Sequence, residues 1–297
     1  MRKQFVQSMK KILYSDSNTC LLLGDIGVFG FREELKSISD RVYNIGILEQ
    51  STVSLASGLA KSGLIPFVHT IAPFMVERAF EQIKIDFGYQ KYNGNFISVG
   101  SSYDYSSLGC THHCPADIGI LSYIPEVNLY IPGSSKEFDH LLNKTYNFGI
   151  NYYRLSEYEN SESYLQPIGK GILIKKGKKA TVICFGNMLD SVLSACKNLD
   201  VTILYYNTLR PFDHVLLRDN FNQNIIICEP FYEGTANYFI TKALEENCCG
   251  IFEHYYRILN IAIPRTFLYN YGTKNNQDEF IKIDEKSIYE RITKWLK

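Results

Sequence analysis

The sequence predicts an α/β protein with two domains, each a largely parallel sheet with helices on both faces. Short apolar runs of strand length alternate with segments whose apolar residues recur at helical spacing. That alternation is typical of parallel sheets whose strands are connected by helices. A polar, turn-rich stretch near residue 160 separates two such series. We therefore expect domains at 1–160 and 170–297, joined by a linker at 161–169.

The composition argues against a nucleic-acid-binding protein and against a membrane-spanning protein. The 297 residues include 31 basic and 31 acidic side chains, so the chain lacks the basic surface that nucleic-acid binding requires. An apolar run of about 18 residues, as a membrane span needs, is absent from the sequence. The eight cysteines are scattered, several of them in apolar strands, which is typical of reduced thiols. We expect a cytoplasmic protein that binds neither nucleic acid nor a membrane.

The elements of the first series follow in regular order after an amphipathic N-terminal helix that ends at residues 16–18. We expect strands at 20–25, 42–48, 64–71, 96–99 and 127–131, and helices at 50–61, 74–86, 116–122 and 135–147. The second series predicts a strand pair at 171–175 and 180–185, strands at 201–205 and 225–229, and helices at 189–197, 234–246 and 284–297.

Glu49 and Phe74 are the first candidate site residues. Glu49 lies where a buried strand becomes a helix, and Phe74 follows the next strand. Ligands of parallel sheets bind at the carboxyl ends of strands, where Asp25 and the loop 100–114 also fall. A flat nitrogen heterocycle would stack on Phe74 while Glu49 bonds an edge nitrogen. The alternative is that Glu49 is a first-turn helix residue and Phe74 belongs to the core.

Four ordered motifs carry a family resemblance: GILEQ, GLAKSGLIPF, TIAPFMVERAFEQI and GCTHHCPADIGILSYIPEVNLYIPGSSKEF, which begin at residues 46, 58, 70 and 109. Together they resemble the pyrimidine-binding domain of the transketolase and deoxyxylulose-phosphate synthase family. The similarity is greatest to members split into two chains, of which this would be the C-terminal one. Residues 170–297 more weakly resemble the family's C-terminal domain, which mainly builds the dimer.

The resemblance implies thiamine diphosphate, a cofactor that performs the carbon chemistry itself while the protein polarises its aminopyrimidine ring. Glu49 would share a proton with a ring nitrogen, helped by burial, which disfavours a free carboxylate. Asp25 matches an acidic position near the cofactor, although it fits equally well as a turn residue after Gly24. Ile71 and Glu77 replace two aromatic residues of the family pocket. The expected cofactor-binding residues are Glu49, Phe74, Asp25, Ile71 and Arg78.

The substrate side is expected to differ from that of transketolase. His112 matches the family histidine that faces the reacting carbon, and an imidazole suits proton transfer near neutral pH. Ser102 or Tyr103 replaces another histidine of the family loop, and Leu108 replaces an acidic residue. Glu157 replaces the arginine that binds a sugar phosphate in the family, and Arg154 lies close to it in the sequence. The expected substrate-binding residues are His112, Ser102, Tyr103 and Arg154. Loss of cationic phosphate ligands implies a different acceptor.

Three histidine and cysteine features are expected to carry no chemistry. His69 and His113 match no family role and are interpreted as surface or core residues. Cys110-Thr-His-His-Cys114 suggests zinc, but four donors within five residues do not readily surround one tetrahedral ion. We expect no metal site in this chain.

The diphosphate half of the cofactor site is missing from the sequence. The family holds Mg²⁺ with a Gly-Asp-Gly motif and a later Asn, whereas Gly24-Asp25-Ile26-Gly27 with Asn44 does not match. We expect a partner subunit to supply the diphosphate domain and Mg²⁺, in a two-plus-two heterotetramer. The pair would transfer a two-carbon unit to a carbonyl acceptor, for example a nucleotide-linked keto-sugar. The alternatives are a β-type component of a 2-oxo-acid dehydrogenase and a non-catalytic scaffold.

Overall fold

The computed structural model describes residues 1–247 and 255–297 and confirms the predicted α/β class. Its strands are β1 (Thr19–Leu23), β2 (Val42–Asn44), β3 (Ile65–Ile71), β4 (Gly94–Val99), β5 (Val127–Tyr130), β6 (Ile150–Arg154), β7 (Ile172–Lys175), β8 (Thr181–Phe185), β9 (Thr202–Tyr206), β10 (Thr208–Arg210), β11 (Asn224–Tyr232) and β12 (Arg257–Ile263). They form a seven-stranded sheet in the order β10-β5-β6-β4-β3-β1-β2 and a five-stranded sheet in the order β12-β11-β8-β9-β7.

Helical segments lie at the positions that the periodicity predicts, and three more, at Glu34–Ser37, His214–Asp219 and Lys274–Ile281, were not predicted. The helices are α1 (Arg2–Ser15), α2 (Glu34–Ser37), α3 (Glu49–Lys61), α4 (Phe80–Gln82), α5 (Asp117–Ser122), α6 (Ser135–Thr145), α7 (Leu189–Ala195), α8 (His214–Asp219), α9 (Asn237–Asn247), α10 (Lys274–Ile281) and α11 (Glu285–Trp295). The predicted helix 74–86 is not one regular α-helix, because π-helical turns at Phe74–Arg78 and Ile83–Tyr89 flank the short α4.

Several predicted strands differ from the observed ones. The strand predicted at 42–48 ends at Asn44, because Gly46 turns the chain with a φ of 84° before α3 begins. The predicted pairing of 171–175 with 180–185 is wrong, since β7 and β8 lie on opposite sides of β9. Three strands were not predicted: β6, β10 and β12.

The two sheets are built mainly from residues on either side of the predicted linker. The exception is β10, which comes from the second half of the chain and pairs antiparallel with β5, Thr208 opposite Tyr130. One hydrophobic cluster also takes side chains from both sheets, for example Phe96 and Ile227. The boundaries 1–160, 161–169 and 170–297 stay a prediction, and the part of the last domain at 248–254 lies outside the described residues.

Parallel strands bring the candidate residues to one edge of the first sheet. The strands β2, β1, β3, β4 and β6 are parallel neighbours, so their carboxyl ends share that edge. Asp25 follows β1, Glu49 follows β2, Phe74 follows β3 and the loop 100–114 follows β4. This is the edge at which open α/β sheets bind ligands.

His69 is a core residue of the central strand β3, in agreement with one of its two sequence interpretations. Its side chain has no exposed surface, and its ring centroid lies 4.3 Å from that of Phe5. Its Nδ1 lies 2.9 Å from the carbonyl oxygen of Ile97. Complete burial disfavours the imidazolium and lowers the pKa of His69 to about 4.

This burial predicts an acid-sensitive contribution to stability. The unfolded chain binds a proton on His69 near pH 6.5, whereas the folded protein resists protonation until about pH 4. The contribution is therefore complete above the unfolded pKa and is lost as the pH falls through that window, by roughly 3 kcal/mol. In urea unfolding at a series of pH values, His69→Asn should flatten this part of the pH dependence. Exposed His214→Asn is the control, and a His69→Asn profile parallel to wild type would contradict the prediction.

Candidate functional site

Glu49 is a buried carboxylate at the start of α3. The turn through Leu48 sets the entry into the helix, and the first backbone bond runs from the Thr52 N–H to the Leu48 carbonyl. The Glu49 side chain is 2% exposed, and its Oε2 forms a salt bridge of 2.6 Å with Nη1 of Arg78. Its Oε1 is also buried and has no hydrogen-bond partner among the described residues. A buried acceptor without a partner is costly, so this atom is suited to a ligand.

Phe74 and Arg78 come from the π-helical turn that follows β3. The guanidinium carbon of Arg78 lies 4.3 Å from the centroid of the Phe74 ring, which is a cation–π geometry. Because π-helical turns occur often at functional sites, the irregular backbone here fits the position of the site. Ile71, the last residue of β3, is half-buried at the same edge.

His112 reaches this group from the loop after β4. Its ring lies edge-on to Phe74, with centroids 5.5 Å apart and planes at 69°. The Oγ1 of Thr111 lies 2.9 Å from Nδ1 of His112 and orients the imidazole. Glu49, Arg78, Phe74 and His112 are therefore joined by successive contacts, although they come from three different segments.

The geometry fits the pyrimidine end of thiamine diphosphate. It offers a buried carboxyl oxygen that lacks a partner in the described residues, an aromatic ring that Arg78 links to that carboxyl group, and an imidazole in edge-on contact with the ring. Such a carboxyl group can share a proton with an edge nitrogen of a heterocycle. The functional roles expected for Glu49, Phe74, Ile71, Arg78 and His112 stay predictions.

Asp25 is exposed after β1 and lies in a turn with a φ of 62°. Its backbone N–H donates to Oδ1 of Asn44 at 3.0 Å, and the Asn44 amide donates back to its carboxylate at 3.2 Å. These two bonds are those of a turn residue, the alternative that the sequence leaves open. A contact from Asp25 to the cofactor remains a prediction.

Ser102, Tyr103 and Arg154, the residues expected to bind substrate beside His112, lie inside the protein. All three side chains are buried. Arg154 donates from Nε to Oδ2 of Asp117 at 2.8 Å and from Nη2 to the Ser102 hydroxyl at 2.8 Å. The Tyr103 hydroxyl donates to the carboxylate of Asp278. These bonds lie within the protein and support the loop, and the substrate-binding role of the three residues stays a prediction.

Two buried acidic residues that help to support the loop, Asp117 and Asp104, were not predicted from the sequence. Asp117, in the first turn of α5, is buried and neutralises Arg154. Asp104 accepts hydrogen bonds from the Ser156 hydroxyl and the Glu157 N–H at 3.0 and 2.9 Å, and burial raises its pKa to about 6. Alone, neither residue is distinguishable in the sequence from a loop or helix-start carboxylate, since the partners come from distant segments.

Cys110, His113 and Cys114 of the loop 100–114 differ in their exposure to solvent. Cys110 is exposed, whereas Cys114 is buried with its Sγ 3.6 Å from Oε1 of Glu77. His113 is buried, and that burial lowers its pKa. Within residues 1–247 and 255–297, no group of three or more histidine, cysteine or acidic side chains is arranged to hold a metal ion.

Comparison with known proteins matches residues 1–156 to the family described as transketolase, pyrimidine binding domain. The chain is 34% identical over 298 residues to an uncharacterized 33.6 kDa protein in the fasciation locus of Rhodococcoides fascians, covering 98% of this chain and 93% of that protein. It is 30% identical over 189 residues to one of the subunits of the apulose-4-phosphate transketolase of Actinobacillus succinogenes, covering 60% of this chain and 61% of that relative.

Longer relatives and solved structures agree with this assignment. The 1-deoxy-D-xylulose-5-phosphate synthase of Buchnera aphidicola is 28% identical over 272 residues, but these span 87% of this chain and only 43% of that enzyme. A split gene transketolase, described as an inactive beta4 tetramer, shares the fold with a TM-score of 0.84 at 20% identity, covering 99% of this chain and 97% of the other.

No helix in the described residues is long and apolar enough to cross a membrane.

The buried ion pair of Arg154 with Asp117 gives a testable prediction. Arg154→Met would leave the fully buried Asp117 without its counter-charge, which should lower the free energy of unfolding by about 3–5 kcal/mol. The matched control is Arg218→Met on α8, because Arg218 forms a largely exposed pair with Asp219 worth less than about 1 kcal/mol. Urea unfolding measures both. An Arg154→Met protein of wild-type stability that selectively loses affinity for a sugar phosphate would favour the ligand-binding role.

Proposed function

The chain belongs to the transketolase family through its pyrimidine-binding domain, and from this we propose that it is one subunit of a split, thiamine-diphosphate-dependent transferase. The enzyme would transfer a two-carbon unit to a carbonyl acceptor. The observation that carries the proposal is Oε1 of Glu49, a buried carboxyl oxygen without a partner in the described residues, in a group that Arg78 links to the Phe74 ring.

Each residue of the site has a definite task in this proposal. The cofactor, when bound, supplies the carbon chemistry. Glu49 shares a proton with the edge nitrogen of the pyrimidine, and Phe74 stacks on the ring. His112, oriented by Thr111, moves a proton at the substrate hydroxyl or carbonyl oxygen.

The proposal includes a partner subunit that holds the diphosphate and Mg²⁺. Asp25 and Asn44, the nearest equivalents of the family's metal ligands, hydrogen-bond to each other in a turn. Ile47, Leu48 and Leu55 beside Glu49 are exposed apolar side chains of the kind that a partner covers. The Actinobacillus succinogenes relative is itself named as a subunit, which supports an enzyme of more than one chain. We propose an α2β2 assembly in the cytoplasm, consistent with the free cysteines of the described residues.

The acceptor that we propose is larger or less charged than a pentose phosphate, for example a nucleotide-linked keto-sugar. This is supported by Arg154, which is buried and paired with Asp117, and by the exposed Glu157, which stands at the position of the family arginine. The name of the Actinobacillus succinogenes relative points instead to a sugar phosphate. Carbohydrate metabolism is common to both.

Replacement of the central carboxyl group tests the reaction itself. In the complex reconstituted with the diphosphate-domain partner, Glu49→Gln should lower kcat by at least about 100-fold, because the amide cannot exchange a proton with the ring. Glu81→Gln, an exposed change on the neighbouring α4, should leave kcat unchanged. Equal turnover by wild type and Glu49→Gln would favour a non-catalytic scaffold.

A second assay tests the acceptor class. With both subunits present, keto-sugar nucleotides should be turned over with a higher kcat/KM than a pentose phosphate, because Arg154 is held by Asp117 and Ser102 and does not bind a terminal phosphate. Steady-state kinetics with the two acceptors makes the comparison. Efficient turnover of the pentose phosphate alone would refute this acceptor class, and a requirement for a lipoyl-domain acceptor would indicate a β-type component of a 2-oxo-acid dehydrogenase.

A further inference from the structure

Arg78 contacts both groups that would define the place of a bound pyrimidine. Its Nη1 lies 2.6 Å from Oε2 of Glu49, and its guanidinium carbon lies 4.3 Å from the Phe74 ring centroid. One side chain therefore engages the carboxyl group that would bond the heterocycle and the aromatic ring that would stack on it.

The other oxygen of Glu49 is closed to ligands in this arrangement. Oε1 has essentially no accessible surface and no hydrogen-bond partner among the described residues, so a ligand reaches it only if a neighbouring group moves. Arg78 is the outer member of the group, since its side chain is 42% exposed while that of Glu49 is 2% exposed. Arg78 is therefore the member of the ion pair that solvent reaches.

The ion pair itself also opposes ring binding. The guanidinium of Arg78 holds the carboxyl group of Glu49 through its Oε2, and this contact competes with a bond to a ring nitrogen. A half-exposed ion pair of this kind is weak, because water competes for the guanidinium. Within residues 1–247 and 255–297, Glu49 is the only hydrogen-bonding partner of Arg78, so displacement breaks a single ion pair and one ring contact.

We propose that Arg78 is a positioning residue that covers Glu49 and Phe74 until an aminopyrimidine ring displaces it. In the uncovered state the guanidinium turns outward, Glu49 loses its counter-charge, and the carboxyl group is free to share a proton with the ring. This inference rests on the proposed function, because it assigns Glu49 to the pyrimidine. The contacts of Arg78 with Glu49 and Phe74 thereby lower the affinity of the chain for the aminopyrimidine ring.

Binding of the free aminopyrimidine fragment of thiamine to the isolated chain tests this inference without any turnover. In an NMR titration, Arg78→Met should bind the fragment roughly fivefold to tenfold more tightly than wild type, the gain expected from removing one weak ion pair and one cation–π contact. Methionine keeps an apolar stem of similar length. Arg218→Met, whose arginine is equally exposed and also ion-paired, is the matched control and should bind as wild type does.

Two further readouts separate displacement from a structural effect. Added salt screens the ion pair, so fragment affinity should rise with ionic strength in wild type but not in Arg78→Met. The side-chain nitrogen signals of Arg78 should shift when the fragment is added to wild type, since the guanidinium leaves Glu49. A merely structural role of Arg78 moves neither readout.

The Glu49→Gln protein distinguishes failure of this inference from failure of the proposed function. If Glu49→Gln weakens fragment binding but Arg78→Met gives no gain, the carboxyl assignment stands and the covering role is wrong. If Arg78→Met binds more weakly than wild type, or does not bind at the solubility limit of the fragment, Arg78 is no cover and the inference is overturned. If Glu49→Gln binds as well as wild type, the proposed function itself is wrong.

Discussion

The half-satisfied carboxyl group of Glu49 is the constraint on which the rest of the site depends. One of its oxygens is paired with Arg78 and the other is buried without a partner in the described part of the chain. An unsatisfied buried acceptor costs about 1–3 kcal/mol, which folding must offset elsewhere. The compact turn through Gly46 and Leu48 fixes the start of α3 and holds the carboxyl group in this position. Such a group is stabilised further only when a donor arrives from outside.

The loop that carries His112 is held in place by residues other than those of the candidate site. The loop 100–114 is attached to the rest of the protein by buried bonds, among them Arg154 to the Ser102 hydroxyl and the Ser102 hydroxyl to the Pro230 carbonyl. Ser102 and Arg154 thus support the loop, which presents His112 to Phe74. For the proposed function, we therefore expect a substrate that is recognised without an arginine contact to a phosphate.

Much of the fold followed from local pattern, and the misses have physical causes. Fully apolar runs such as β1 and the amphipathic α1 and α11 are evident in the sequence, because burial on one or both faces dictates their residue types. The strand β6 was missed because Asn151 and Arg154 look exposed in sequence, yet both are buried and hydrogen-bonded. Periodicity also cannot register a π-helical turn, which changes the spacing by one residue.

Part of the candidate site could also be predicted from the sequence, and part could not. Glu49, Phe74 and His112 share one edge of the sheet because parallel strands end together, which the order of elements was sufficient to predict. The ion pair between Glu49 and Arg78 joins residues 29 positions apart, and it depends on the geometry of a turn that the sequence suggested was a regular helix. Burial of Arg154 depends on Asp117 from another element, so no local signal distinguished a structural arginine from a ligand.

The central claim is tested most directly by the structure of this chain in complex with its partner subunit and thiamine diphosphate. The account predicts a carboxyl oxygen of Glu49 about 3 Å from a pyrimidine nitrogen. It also predicts that Arg78 has turned away and that the partner holds the diphosphate and Mg²⁺. A pyrimidine bound elsewhere, with Glu49 still paired to Arg78, would contradict it, as would a structure in which this chain alone holds the whole cofactor.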